Sequence, residues 1–357
     1  MVSNSCLRAR ENIKVVNQMS KNVGMAYVYY GVMKLLPKGM WRLLALLPLL
    51  AFYVYMPLKL GTVFERGLLS CFFTWLTSFK LVLLCWDAGP ASDPWAIATF
   101  PRFLAVMNLS LHLKTQSSRV SRIAPESDES KLWYIVLLRL FLKFIFLAMI
   151  TASYSFRAQL PWWVIYILYS AQIYITPSLI FDGVSLLASA ALGIETEPAF
   201  NKPFLSDSLT DFWGRRWNLL ISNLMRVAVY EPVLCFDSQK LSGLPLWPRS
   251  LALFLCLVVS GLMHELIFFY MTLSPPTWDA TAFFTLHGIM SVFEIFIRRK
   301  FRIKVIKLVS VPITLCVMFF SALWLFYPSV CRGGTDFKAI SEFQDFFRNF
   351  LPQYYPS

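Results

Sequence analysis

The sequence is short of charge: only 15% of its 357 residues are Asp, Glu, Lys or Arg, where a soluble domain carries about 25%. It has three histidines (His112, His264 and His287) and seven cysteines (6, 71, 85, 235, 256, 316 and 331) without a CxxC pair. An odd count at such spacing argues for buried thiols rather than a disulfide framework or a zinc site. The phosphate-binding loop GxxxxGK[ST], the nucleophile elbow GxSxG and a GxGxxG ahead of a helix are all absent, which removes their nucleotide and hydrolase chemistries. No internal repeat and no Gly/Ser-rich linker divides the chain, so a single polytopic domain over 1–357 is expected. The polar opening, MVSNSCLRARENIKVVNQMSKN, lacks a short apolar core with a small-residue cleavage site, and a cleaved signal peptide is not expected.

What the chain has instead is apolar length. Hydrophobic residues make up 57%, and the mean hydropathy is +0.57. Seven runs approach or reach the roughly 17–25 residues of a spanning helix: Trp41–Leu60, Gly67–Trp86, Trp133–Thr151, Trp162–Phe181, Ser250–Thr272, Thr281–Ile297 and Leu308–Tyr327. Val23–Leu36, Trp95–Leu113 and Ser185–Gly193 are weaker candidates. The expected fold is all-α and polytopic, with roughly seven to ten membrane segments. The net charge of +13 sits at span edges, as at Arg298, Arg299, Lys300, Arg302, Lys304 and Lys307. That is the pattern of cytosolic flanks facing anionic lipid, not of a nucleic-acid surface. The turn SPPTWD (Ser274–Asp279) has no Lys or Arg and is expected on the luminal side. The Ser-rich Leu113–Lys131 reads as an exposed loop, with His112 solvated beside it, and Glu231–Arg249 reads as another loop.

Three stretches carry polar groups where charge is costly. In SLTDFWGRRWNLL, Ser208 and Asp211 form a capping-box pattern that starts a helix near Leu209. Helical spacing then puts Asp211, Arg215, Asn218 and Ser222 on one stripe, with Trp213 and Trp217 on a neighbouring aromatic face and Arg216 off the stripe. An interfacial helix with snorkelling arginines has the same look. In SGLMHELIFFYM, His264 lies ten residues before the turn, about 15 Å deep, with small Ser260 and Gly261 leaving space beside the ring and Glu265 following. Phe268 at the fourth position after it rules out HExxH. In TLHGIMSVFE, His287 lies at about 12 Å from the same turn, with Glu294 on its face, in a supporting role. Either histidine could be a satisfied core residue. A proton or solute path through His264, Glu265 and His287 is the competing class, although inverted repeats are missing.

The texts SDSLTDFWGRRWN, VYEPV, SGLMHELIFFYMT and PTWDATAFFTLHG, in this order, resemble the membrane-bound O-acyltransferase superfamily and its plant wax-synthase branch. The likeness extends over nearly the whole chain, with 185–275 as the catalytic segment. It implies an acyl-CoA-dependent O-acyltransferase of the endoplasmic reticulum, acting on a lipophilic alcohol, with acyl-CoA as co-substrate and neither metal nor further cofactor. Wax ester synthases, sterol acyltransferases and diacylglycerol acetyltransferases share these motifs, and a long-chain alcohol is the expected acceptor. By motif position Asn218 and His264 are the essential pair. Arg215, Arg216 and Trp217 are then expected to bind substrate, the two arginines holding the CoA phosphates, with Asp211, Glu265 and His287 supporting. The oligomeric state is not legible.

Overall fold

The computed structural model describes residues 2–108, 129–192, 198–235, 246–301 and 305–350. His112, most of Leu113–Lys131, Lys240, Arg302 and Lys304 lie outside them. The described residues are predominantly helical and contain no strand, as a chain that must satisfy its backbone inside lipid requires.

The long helices are α1 (Val2–Leu35), α2 (Met40–Tyr55), α3 (Val63–Leu84), α4 (Phe100–Asn108), α5 (Glu129–Ser153) and α6 (Trp162–Leu192). They continue as α7 (Leu219–Met225), α8 (Leu246–Thr272), α9 (Asp279–Lys300), α10 (Lys307–Ser321) and α11 (Thr335–Phe350). Among the described residues seven stretches are long and apolar enough to cross a membrane, and each overlaps one of the seven strong runs of the sequence. The protein is therefore an integral membrane protein. The weak run Ser185–Gly193 is no separate span: α6 continues unbroken to Leu192. Trp95–Leu113 is broken into a short Pro94–Ile97 helix and α4 within its described part. The expected loop Glu231–Arg249 is shorter at both ends, because helix reaches Cys235 and resumes at Leu246 with Pro248 in its first turn. Cys71, Cys85, Cys235, Cys256, Cys316 and Cys331 are all free thiols, yet Cys235 and Cys316 are exposed rather than buried.

One end of the bundle is tied by the connections that follow α2, α5, α8 and α10. Arg66 donates to the Met271 carbonyl at 3.2 Å, and Glu342 accepts from the Val63 and Phe64 amides at 2.8 and 2.9 Å. Arg157 pairs with Asp336 at 3.0 Å, and Arg332 donates to the Pro275 carbonyl. The chain reverses there at Gly333 and Gly334, both with positive φ. At the opposite end the segment after α6 folds against the end of α9. Glu294 accepts from the Leu209 amide at 3.1 Å and pairs with Arg298, whose other nitrogen reaches the Asp207 carbonyl at 2.8 Å.

The closest helix pair is α8 with α9, and two glycines allow it. A Cβ on Gly261 would sit 2.9 Å from the Thr281 Cα, and one on Gly288 would sit 2.9 Å from the Phe254 ring. The small residue beside His264 therefore makes room for α9, not for the imidazole as the sequence suggested.

Candidate active site

Residues 198–230 form the floor. Ser208 caps a single helical turn, accepting from the Asp211 amide at 3.0 Å, as the capping pattern indicates. The turn then widens into a π segment, Phe212–Arg216, closed by the Trp217 amide on the Phe212 carbonyl at 2.8 Å. There the helix ends. Trp217 is extended and Asn218 is left-handed (φ 39°, ψ 68°), a conformation asparagine tolerates better than most residues. The expected continuous stripe through Asp211, Arg215, Asn218 and Ser222 is thus broken at its centre. The chain pairs instead with 199–201: the Leu219 amide donates to the Ala199 carbonyl at 2.7 Å, and the Asn201 amide to the Arg216 carbonyl at 2.9 Å.

The break gives Asn218 two tasks. Its side-chain oxygen caps α7 by accepting from the Ile221 amide at 3.3 Å. That leaves its NH₂ group as a donor, and Asn218 lines a cavity of about 450 Å³. Ser222 on the same wall donates to the Trp213 carbonyl at 2.7 Å and locks the π segment to α7.

His264 faces this cavity from α8. Its Nδ1 lies 2.7 Å from the Ser260 carbonyl, which can only accept, so Nδ1 carries the proton and Nε2 keeps a free lone pair. Trp75 packs edge-on at 5.3 Å and Phe284 against its face at 4.4 Å, with Phe268 and Phe326 beyond. The cavity wall also includes Leu253 of α8. It lies eleven positions before His264, about 16 Å away along the helix axis.

His287 is placed otherwise. It is fully buried and absent from the cavity wall. The Trp213 indole donates to its Nδ1 at 3.2 Å, so its Nε2 carries the proton and donates to the Ser321 hydroxyl at 2.8 Å. Both nitrogens are engaged. Glu265 points the other way along α8 and accepts from the Thr281 amide at 3.2 Å, tying the start of α9. Among the described residues no hydrogen bond links His264, Glu265 and His287 to one another.

The arginines also divide. Arg216 is largely buried, bonded to Asp211 and reaching the Asn201 carbonyl, so it braces the floor rather than lining the cavity. Arg215 pairs with Asp211 at 3.0 Å but is 73% exposed. Trp217 lines the cavity, stacked on Phe212 at 5.3 Å. Sequence reasoning passed over Arg226, Tyr230 and Trp75, which line the same cavity. The signal for Arg226 was present: it is the single charge in the apolar stretch Leu219–Tyr230. Arg226 is 68% exposed, 3.2 Å from Glu231.

Residues 196–286 match the family model described as the membrane bound O-acyl transferase family, a range that contains both Asn218 and His264. The chain is 35% identical over 325 residues to an acyl-CoA–sterol O-acyltransferase of Arabidopsis thaliana, covering 90% of this chain and 91% of that protein. It is 33% identical over 310 residues to a long-chain-alcohol O-fatty-acyltransferase of Simmondsia chinensis, covering 85% and 86%. It is also 33% identical over 326 residues to a probable long-chain-alcohol O-fatty-acyltransferase of Arabidopsis thaliana, covering 91% and 92%.

Proposed function

Since the chain belongs to the membrane-bound O-acyltransferase family, we propose that it transfers the acyl group of acyl-CoA to a long-chain alcohol, giving a wax ester, in the endoplasmic reticulum. The observation that carries the mechanism is one cavity walled by both Asn218 and His264, with Nδ1 of the histidine held on the Ser260 carbonyl.

His264 Nε2 takes the proton of the alcohol as its oxygen attacks the thioester carbonyl. Positioned proton transfer of this kind contributes typically about 10²–10⁴-fold in rate. The Asn218 NH₂ donates to the carbonyl oxygen as it becomes an oxyanion, where loss of one donor costs about 2.7–4 kcal/mol in a comparable site. When the C–S bond breaks, the leaving thiolate recovers the proton from His264, so ester and free CoA leave with no net change in the protein. Arg226 at the wall and the exposed Arg215 hold the phosphates of the carrier, for which the guanidinium fork suits oxygen geometry. The scheme needs no metal and no cofactor beyond the co-substrate.

A sterol acceptor is the second reading, favoured by the 35% identity to the Arabidopsis thaliana sterol enzyme over 91% of its length. The test is an assay of microsomes from a host without its own neutral-lipid synthesis, given a panel of acyl-CoAs with a long-chain alcohol, a sterol or diacylglycerol. Wax ester as the dominant product by mass spectrometry supports the first reading, and steryl ester the second. Acetylated diacylglycerol as the dominant product contradicts both.

A further inference from the structure

A second cavity, of about 520 Å³, lies between α1, α3, α4 and α6. It is an open cleft rather than a sealed void, and its volume is in the range of ligand sites. Its wall shares no residue with the catalytic cavity. The π segment Ser70–Thr77 within α3 separates the two: Phe72 and Phe73 face the second cavity, while Trp75 faces the first and packs on His264.

Its wall is apolar except for Asn22 and Asn108. The Asn22 oxygen accepts from the Tyr53 hydroxyl at 2.8 Å. The Asn108 side-chain oxygen is buried and has no hydrogen-bond partner among the described residues. A buried acceptor left without a donor is costly and calls for a partner. An apolar chamber with one unmet acceptor matches a molecule with an apolar body and one donor.

The geometry points to a binding site for a neutral membrane lipid that carries a single hydroxyl, separate from the catalytic cavity. The hydroxyl donates to Asn108 and the hydrocarbon body fills the space against Phe72, Phe73 and Ala105. Either a sterol or a long-chain alcohol supplies this chemistry. Because the site does not contain His264 or Asn218, a lipid held there is not acylated in place. The inference stands apart from the choice of acceptor made above.

The test is photolabelling of purified full-length protein without acyl-CoA, so that no turnover consumes the probe. Four diazirine probes are used: a sterol, a long-chain primary alcohol, and the methyl ether of each. Mapping by mass spectrometry is expected to find label on peptides covering 68–73 or 101–108. The hydroxyl form of at least one probe should label roughly 2–10-fold more than its ether at limiting concentration, the range expected for one net hydrogen bond. Which parent labels identifies the lipid class. Asn108→Leu should bring alcohol and ether to the same level, and Ala105→Trp should empty the site while label at 217–230 persists. If Ala105→Trp does not fold, Asn108→Leu carries the comparison alone. Equal labelling by alcohol and ether in the wild-type protein means annular lipid only and overturns the proposal. Label confined to the catalytic-cavity peptides overturns it as well.

Discussion

At the scale of single residues, the two histidines differ by which nitrogen is free. His264 has one unengaged nitrogen facing a cavity, whereas His287 has none, held by Trp213 and Ser321. Depth read from the sequence made them look alike, because counting along a helix gives no information about partners. Asn218 combines a left-handed backbone with a cap and a donor, and substitutions separate these roles. Asn218→Gly keeps a residue suited to positive φ and should accumulate as folded protein, with kcat lowered about 10²-fold or more by loss of the amide donor. A glycine variant with near-normal kcat would mean that Asn218 serves only the turn. Arg226→Ala should raise the KM for acyl-CoA by roughly three- to tenfold and leave the KM for the alcohol near normal, the modest size reflecting an exposed site. Equal changes in both constants would remove Arg226 from carrier binding. Arg216→Ala should instead lower the yield of folded protein, since it leaves the buried Asp211 with only the exposed Arg215 as its ionic partner.

At the scale of elements, four helical stretches among the described residues are widened to π geometry, and each contributes to the surroundings of His264 or its cavity. Ser70–Thr77 brings Trp75, Phe212–Arg216 brings Trp213, Arg226–Tyr230 brings the wall arginine, and Ala322–Phe326 brings Phe326 against the imidazole. Such widenings occur often at functional sites. They were invisible in the sequence, since a π segment keeps the apolar composition of its helix. The break at Trp217–Asn218 was hidden for a related reason: Asn218 happens to fall on the helical spacing of Asp211 and Ser222. The Ser208 cap and the seven long helices were legible because a capping box and membrane length have strong local signatures. Gly261 yields a prediction at this scale. Gly261→Ala places a methyl against the α9 backbone at Thr281 and should destabilise by about 1–3 kcal/mol, seen as a lower Tm with reduced activity. Gly24→Ala, with open space around its site, is the control and should leave Tm unchanged or slightly raised. Equal Tm values for the two variants would show that α8 and α9 are not held at this contact.

At the scale of the whole molecule, orientation follows from charge. The end holding the candidate active site carries Lys202, Arg215, Arg216, Arg298, Arg299 and Lys300, more than the Lys59, Arg66, Arg157 and Arg332 of the connections at the other. By the positive-inside rule the end holding the candidate active site is expected to face the cytosol. Asn108, in the sequon Asn108-Leu109-Ser110, precedes a stretch carrying Lys114, Arg119 and Arg122, which the same rule assigns to the cytosolic side, and its side-chain oxygen is buried. It should therefore be unmodified. A glycosidase-sensitive mass shift that vanishes in Asn108→Gln would reverse the orientation.

The most direct measurement is kcat of purified His264→Ala at saturating acyl-CoA and alcohol, beside wild type and His287→Ala, with expression, monodispersity and acyl-CoA affinity checked for each. Loss of the general base should lower kcat of His264→Ala by at least about 10², with acyl-CoA affinity little changed. His287→Ala should lose stability more than rate, because it removes the acceptor of Trp213 and the donor to Ser321. A folded His264→Ala that keeps a large share of wild-type kcat would contradict the mechanism, as would a folded His287→Ala that alone is dead.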